Sequence, residues 1–246
     1  MAFPVACCPK SSRPGSGGAA PAWTPADIAN LALFFHFKPG ANCAYASNGG
    51  AASGAGDPVG YAAPLFGATI SASEATNKPT LQADGLQLDD AGVQQLVFSS
   101  QFSSGAFTAY WSMIVAEGSN VAAFAEDSVE SSLLGGTSNV SIYDDDNQGA
   151  VSGLSGTGVF ILGRFNQTVS GGSYSMIATE MPESTDSGLT NFSFNQLGGT
   201  GAVAMGNDST ANRFRLLILV NRSIALGSAE DLLIRDWIAT NDGASL

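Results

Sequence analysis

The sequence predicts an all-β protein, an antiparallel β-sandwich with one short C-terminal helix and an extended N-terminal arm. Short apolar segments recur about every ten residues between turns rich in Gly, Asn and Ser, which is typical of sandwiches and barrels. No helical pattern lies between successive segments, as the crossovers of a parallel sheet would require. Of 246 residues, 44% are hydrophobic and 12% are charged, which excludes a coiled coil, and the 14 Phe and 3 Trp argue against disorder.

The N-terminal arm is predicted over residues 1–26, before a single domain over 27–246. The arm is rich in Pro, Gly and Ser, shows no periodicity, and lacks the basic and apolar regions of a secretory signal. Its apolar residues and its two adjacent cysteines are predicted to dock on a neighbouring subunit: Phe3, Pro4, Val5, Cys7, Cys8 and Trp23. Together with Cys43, these cysteines are either free thiols or take part in an intermolecular disulfide.

Apolar runs of strand length define the β-strands of the domain. A buried strand at 28–37 comes first, and a long loop-like region with short strands follows at 38–80. The strongest pattern, at 107–115, predicts one apolar face made of Phe107, Ala109, Trp111, Met113 and Val115. Further strands are predicted at 86–88, 95–98, 121–125, 132–134, 140–143, 158–165, 174–179, 191–195, 202–205 and 214–221.

One helix, predicted over 228–240, ends the domain. Ser228 followed by Asp231 three residues later matches a capping box, and acidic residues in the first turn favour the positive end of the helix dipole. Gly243 follows shortly after the last turn and is expected to end the helix. Apolar residues at i,i+4 spacing predict a single apolar face made of Leu233, Ile234, Trp237 and Ile238.

Four segments carry a family likeness: 31–37 (LALFFHF), 77–92 (NKPTLQADGLQLDDAG), 104–115 (SGAFTAYWSMIV) and 202–240, which closes with NRSIALGSAEDLLIRDWIAT. Together they resemble the concanavalin A-like lectin/glucanase superfamily, in particular the laminin-G-like jelly rolls of phage and bacterial surface proteins. The resemblance covers about residues 28–242 and implies a jelly-roll sandwich. Phe34 and His36 stand where that family has Trp and Asp in its first strand, so no ligand site is carried over.

Few residues could carry catalysis, and the chain is predicted not to be an enzyme. His36 is the only histidine and lies in an apolar strand, so a Ser-His-Asp triad would have to use it. Zinc sites need several Cys or His ligands at short spacing, which the chain lacks. The superfamily's glycosidases use a Glu-x-Asp-x-Glu-like array, which here is approached only by Glu126 and Glu130, with Ser128 at the middle position.

Two other features are candidates for ligand binding. Asp144 and Asp146 have the Asp-x-Asp spacing of a calcium loop, with a solvated acidic turn as the alternative, and no other cofactor is expected. Trp23, Tyr45 and Tyr61 lie in loop-like regions and could stack on sugar rings, with ordinary packing under loops as the alternative.

The charge distribution limits the partners. The net charge is −12, and no basic residue lies between Lys78 and Arg164, which disfavours nucleic acid and anionic membranes. With the resemblance, this predicts a non-enzymatic structural virion protein, such as a phage capsid decoration, fibre or collar/tail component. It would be made in the host cytoplasm and anchored by its arm to other virion subunits or to copies of itself. The alternatives are a lectin-like adhesin that binds host surface glycans and, third, a glycosidase.

Overall fold

The computed structural model describes residues 23–38, 40–41, 43–65, 70–72, 78–87, 95–103, 106–115, 120–125, 131–136, 139–144, 147–152, 159–167, 173–178, 184–187, 193–198 and 213–243. Side chains are described for 23–38, 40–41, 43–65, 78–87, 106–114 and 213–243. The statements below refer to these residues.

The described residues form seventeen strands, one 3-10 helix at Pro25–Asp27 and one α-helix, α1, at Ala229–Asn241. In chain order the strands are β1 (Leu31–His36), β2 (Ala44–Tyr45), β3 (Tyr61–Ala62), β4 (Ile70–Ala72), β5 (Thr80–Gln82), β6 (Gly85–Gln87), β7 (Gln95–Ser103), β8 (Phe107–Val115), β9 (Asn120–Ala125), β10 (Ser131–Gly136), β11 (Asn139–Asp144), β12 (Asn147–Ser152), β13 (Val159–Gln167), β14 (Ser173–Ala178), β15 (Ser184–Ser187), β16 (Ser193–Gly198) and β17 (Arg213–Val220).

The strands form two antiparallel sheets. Sheet A has the order β15-β14-β13-β8-β17-β6-β5, and β1 also pairs with β17. Sheet B has the order β12-β11-β10-β9-β16-β7-β4-β3-β2. The pairings between neighbouring strands are antiparallel, as in β8 with β13 and β17. The prediction of a mainly antiparallel β-protein with a C-terminal helix is therefore confirmed for the described residues.

Strand β8 lies at the centre of sheet A and has the predicted bounds. Four of the five residues predicted on one face, Phe107, Ala109, Trp111 and Met113, are fully buried. The alternate residues, Thr108, Tyr110 and Ser112, are also fully buried, because α1 packs over that face. Both faces of this strand are therefore covered, and polar side chains face the helix.

Helix α1 packs on sheet A through a helix-side core cluster. Its members are Ile28, Leu31, Phe34, Tyr110, Leu216, Ile218, Val220, Ile224, Ile234 and Ile238. Half-buried Trp237 lies against this cluster and meets Phe34 edge to face, with 5.3 Å between the ring centroids. The prediction that Leu233 shares the inward face is wrong, since Leu233 is 46% exposed. It lies about 100° around the helix from Ile234, outside the narrow stripe that touches the sheet.

The start of α1 differs from the predicted capping box in one bond. Ser228 Oγ accepts from the Asp231 N–H at 3.2 Å, as expected. In a capping box the Asp231 carboxylate would accept from the Ser228 N–H. Here it accepts from the Gly227 N–H at 2.9 Å. The Ser228 N–H instead donates to the Ala225 carbonyl at 3.1 Å, so each of these backbone donors has a partner.

The first strand begins later than predicted. Residues Pro25–Asp27 form the 3-10 helix, and the Thr24 N–H donates to Asp27 Oδ2 at 2.8 Å. Asn30 then takes a left-handed backbone with φ +59°, which short polar residues tolerate, and redirects the chain into β1. Ile28 is therefore part of the core without being part of the strand.

Strands β12 and β15 were not predicted. Their sequences, NQGAVS and STDS, are polar and carry no clear alternation of apolar residues. They form because neighbouring strands supply hydrogen-bonding partners, which a single-sequence pattern does not show. The strand predicted at 202–205 lies outside the described residues.

Candidate functional site

Two tyrosines lie side by side on one face of sheet B, at its β2–β3 end. Tyr45 on β2 is paired directly with Tyr61 on β3, and Ala44 is paired with Ala62. Residues directly opposite in an antiparallel pair share a face, and successive residues alternate between faces. Ala44 and Ala62 are 4% and 0% exposed, whereas both tyrosines are half-buried. The alanines therefore lie on the buried face of this strand pair, and the tyrosines lie on its half-buried face.

The two tyrosine rings form an angled aromatic surface. Their centroids are 6.2 Å apart and the ring planes are tilted by 54°. A tyrosine presents an apolar ring and a polar hydroxyl, and it loses little conformational freedom when it binds a ligand. The pair can therefore make apolar contact and hydrogen bonds with the same ligand.

An exposed polar turn borders the tyrosines. In this turn, residues 46–50, the Gly50 N–H donates to the Ser47 carbonyl at 2.9 Å, and Ser47 and Asn48 are exposed. We call Tyr45, Tyr61 and the turn 46–50 the tyrosine edge. The serine hydroxyl and the asparagine amide provide donors and acceptors beside the aromatic surface.

Close backbone approach holds the tyrosine edge together. The Gly60 N–H donates to the Tyr45 carbonyl at 3.0 Å, and Lys78 Nζ donates to the Ala46 carbonyl at 3.3 Å. A Cβ atom on Gly60 would meet the Ala46 carbonyl oxygen and would lie 2.9 Å from Lys78 Nζ. Position 60 therefore requires a glycine because Ala46 and Lys78 occupy the space of a side chain.

A loop joins the tyrosine edge to sheet A. The N–H groups of Gly56 and Val59 donate to the carbonyls of Leu81 and Pro79, each at 2.7 Å. Leu81 belongs to β5, the end strand of sheet A, and β2 is the end strand of sheet B. The tyrosine edge therefore lies where the end strands of the two sheets are linked.

A second cluster of polar side chains surrounds Asp242 at the C-terminal end of α1. Ser112 Oγ donates to Asp242 Oδ2 at 2.6 Å, and Arg215 Nε donates to Oδ1 at 3.0 Å. His36 Nε2 lies 3.2 Å from the same Oδ1. Burial raises the pKa of Asp242, but the hydrogen bonds with His36 and Ser112 and the charges of Arg215 and His36 outweigh it. The pKa of Asp242 is therefore held below its usual 3.8.

The Asp242 cluster contains Ser, His and Asp but does not have the geometry of a catalytic triad. In a triad the histidine lies between the serine and the carboxylate and accepts the serine proton. Here the carboxylate lies in the middle, and Ser112 donates its proton to Asp242. His36 and Asp242 are 7% and 5% exposed. The cluster is suited to fixing the end of α1 on sheet A.

Of the residues predicted to form the docking arm, Trp23 is the one that the structure describes. Trp23 is half-buried and packs against the helix-side core cluster of its own chain. The docking prediction for the rest of the arm stays a prediction, because those residues lie outside the described part: Phe3, Pro4, Val5, Cys7 and Cys8. Cys43 is buried, and its Sγ donates to the Ala41 carbonyl at 3.7 Å.

The acidic candidates fall mostly outside the described side chains. Asp144 ends β11 and pairs with Asn147 on β12, whereas Asp146, Glu126 and Glu130 lie outside the described residues. The calcium and carboxylate-array hypotheses therefore stay predictions. Among the described residues, no group of three or more His, Cys, Asp or Glu is placed to hold a metal ion. In the same part of the chain, no helix has the length and apolar character needed to span a membrane.

Sequence reasoning named Tyr45 and Tyr61 separately and missed their pairing. The signal was present as mirrored dipeptides, Ala-Tyr at 44–45 and Tyr-Ala at 61–62, which place like residues opposite each other in an antiparallel pair. Each strand is only two residues long, too short for a periodicity to be recognised.

Comparison with known proteins gives a likeness in fold. A scan against family models and a search of curated proteins each found no match. Trypanosoma rangeli sialidase is similar in structure, with a TM-score of 0.54 and 12% identity over 85% of this chain and 33% of the sialidase. The same sialidase in complex with 2,3-difluoro-KDN has a TM-score of 0.53 and 14% identity. That match covers 98% of this chain and 36% of the sialidase. The Ca²⁺-bound VIP36 exoplasmic/lumenal domain matches with 9% identity over 67% of this chain and 86% of its own. Its TM-score of 0.42 is too low to support an inference.

These comparisons correct the predicted function. This chain spans about a third of the sialidase chains that it matches. At this level of identity the likeness concerns the fold alone. The matches reported above with a TM-score over 0.5 are sialidases, and they point away from a virion component. The prediction of a structural virion protein is therefore wrong, because it rested on analogy to the phage members of a family and on no residue of this chain.

Proposed function

We propose that this chain is a lectin-like module that binds glycans at the tyrosine edge and does not itself catalyse a reaction. The observation that carries the proposal is the inverted burial of the β2–β3 pair. Burying a large apolar side chain stabilises a fold by about 1.5–3 kcal/mol, so inward tyrosines and outward alanines would favour folding. The chain has the opposite arrangement, which favours a role for the tyrosines at the surface.

Sugars match the chemistry of this surface. A pyranose ring has a face of C–H groups and a rim of hydroxyls. The C–H face can stack on a tyrosine ring, and the hydroxyls can bond to Ser47, Asn48 and the backbone of the turn 46–50. Binding sites on loops held by a rigid scaffold are common, and here the scaffold is the end of sheet B.

We further infer that the two sheets stack as a jelly-roll sandwich of the concanavalin A-like type. Helix α1 covers the face of β17 that carries Leu216 and Ile218. Leu217 and Leu219 point to the opposite face and are nevertheless fully buried, as is Trp111 on β8. This inner face of sheet A needs a covering layer, and a second sheet stacked about 10 Å away would supply it.

The proposal of binding without catalysis rests on the chemistry of the described residues. The sialidases are enzymes, but their activity cannot be carried to a chain that spans about a third of them at 12–14% identity. The polar cluster at Asp242 is buried, and its serine donates to the carboxylate. The tyrosine edge offers contact surface and hydrogen-bonding groups, which suit recognition of a sugar.

The test is binding to a glycan array by the purified chain and three variants. Wild-type protein is expected to retain a defined set of glycans. Tyr45→Ala and Tyr61→Ala are each expected to weaken binding about tenfold, because each removes one stacking surface. Leu233→Ala is the matched control, since it removes an exposed apolar side chain from α1 on the other sheet, and its binding should equal that of the wild type.

Three results would contradict the proposal. Failure of the folded wild-type protein to retain any glycan, or equal binding by the tyrosine variants, would exclude the tyrosine edge as a glycan site. Release of a sugar from a fluorogenic sialoside above the buffer rate would overturn the non-enzymatic part. Thermal unfolding of each variant ensures that lost binding is not lost folding.

A further inference from the structure

We infer that the tyrosine edge binds two consecutive, uncharged sugar rings of an oligosaccharide, and not a single terminal sugar or a sialic acid. This inference rests on the proposed function and specifies its ligand class. Two features of the described residues support it: the relative position of the tyrosine rings and the charge of the loops around them.

The ring geometry indicates two sugar subsites. A single pyranose ring presents one flat C–H face at a time, so it can lie flat on only one of two rings tilted by 54°. The second tyrosine is then left for a neighbouring sugar. With 6.2 Å between the ring centroids, the second ring lies within reach of a sugar joined to the first through one glycosidic oxygen. Each tyrosine can thus stack on one of two linked rings.

The surrounding charges indicate a neutral ligand. The loops that border the tyrosines, 46–60 and 78–80, contain one acid and one base, Asp57 and Lys78, so their local charge is near zero. Carboxylates are recognised best by the planar, bidentate guanidinium of arginine, and these loops contain no arginine. Lys78 already donates to the Ala46 carbonyl. The net charge of −12 also repels an anionic sugar at long range.

The test is calorimetric titration of the purified chain with three short series. Glucose, maltose and maltotriose vary the number of rings, as do galactose and lactose. Lactose against sialyllactose varies the charge while the core disaccharide is kept. We expect affinity to rise about five- to tenfold from one ring to two and little from two to three. We expect lactose to bind at least as tightly as sialyllactose.

The single variants provide a readout that general destabilisation would not produce. Tyr45→Ala and Tyr61→Ala each leave one stacking surface, so each should abolish the gain from the second ring and bind mono- and disaccharides alike. Tyr61→Phe keeps its ring and should retain the gain. Leu233→Ala should titrate as the wild type does.

The outcomes separate this inference from the proposed function. Equal affinity for monosaccharides and disaccharides in the wild type would overturn the two-ring site while leaving glycan binding intact. Tighter binding of sialyllactose than of lactose would overturn the neutral ligand class. If none of these sugars binds, the inference falls, and the glycan array then decides the proposed function independently.

Discussion

The helix side of sheet A and the tyrosine edge of sheet B place polar and aromatic groups in opposite ways. On the helix side, buried carboxylates are held by several partners. Asp231 accepts from Tyr110 Oη at 2.7 Å and from Gly227 N–H at 2.9 Å, and Asp242 has three side-chain partners. At the tyrosine edge, two-residue strands carry half-buried tyrosines beside an exposed turn.

The difference distinguishes polar groups that stabilise the fold from the surface at which we propose that a ligand binds. Buried charges are costly unless they are paired and hydrogen-bonded, so the helix side is satisfied internally and leaves few groups for a ligand. The tyrosine edge leaves two large side chains half-buried, so part of each lies at the surface. The sequence analysis set His36 aside as a catalytic group and named Tyr45 and Tyr61 as candidates for stacking on sugars, and in the structure His36, Ser112 and Asp242 fix the end of a helix.

The largest expected effect comes from breaking the helix side at Asp242. Asp242→Ala should lower the free energy of unfolding by about 3–5 kcal/mol, because Arg215 loses its carboxylate partner and Ser112 its acceptor. Urea denaturation measures this loss. Asp236→Ala, at an exposed acidic position of the same helix, should change stability by less than about 0.5 kcal/mol. Similar stability of the two variants would contradict a structural role for the cluster.

Replacing one tyrosine by phenylalanine in each region compares directly how much a tyrosine hydroxyl stabilises each of them. Tyr110→Phe leaves a fully buried Asp231 without its 2.7 Å hydroxyl donor and should cost about 1–3 kcal/mol. Tyr61→Phe, at a half-buried position of the tyrosine edge, should change stability by no more than about 0.5 kcal/mol. Chemical denaturation of both variants tests this. An equal loss in the two would mean that the edge tyrosine is as much a part of the fold as the buried one.

The elements that the sequence predicted well are long and periodic. Strand β8 was predicted with its observed bounds, and the helix was displaced by only one residue, because nine- and thirteen-residue elements show their period clearly. Predicting Leu233 on the inward face failed because i,i+4 spacing alone does not say which of two adjacent stripes meets the sheet.

The sequence named Tyr45, Tyr61 and His36 individually but did not show which residues each of them would contact. The Asp242 cluster joins His36, Ser112 and Arg215 across up to 206 positions of the chain. The tyrosine pair joins two dipeptides sixteen positions apart through pairing of an edge strand. Both depend on sheet topology, and local propensity carries no information about which distant segments become neighbours.

The smallest expected effect concerns acid stability. Because the pKa of Asp242 is lowered by folding from its usual 3.8, its ionised form stabilises the native state above about pH 4. This contribution should be lost as pH falls through the lower, folded-state pKa. Urea denaturation from about pH 6 to about pH 3 should therefore show a decline that is shallower in Asp242→Asn than in the wild type. Asp236→Asn, at an exposed position, should lose as much stability between these pH values as the wild type does. A smaller loss in Asp236→Asn would mean that carboxylates other than Asp242 cause the acid sensitivity.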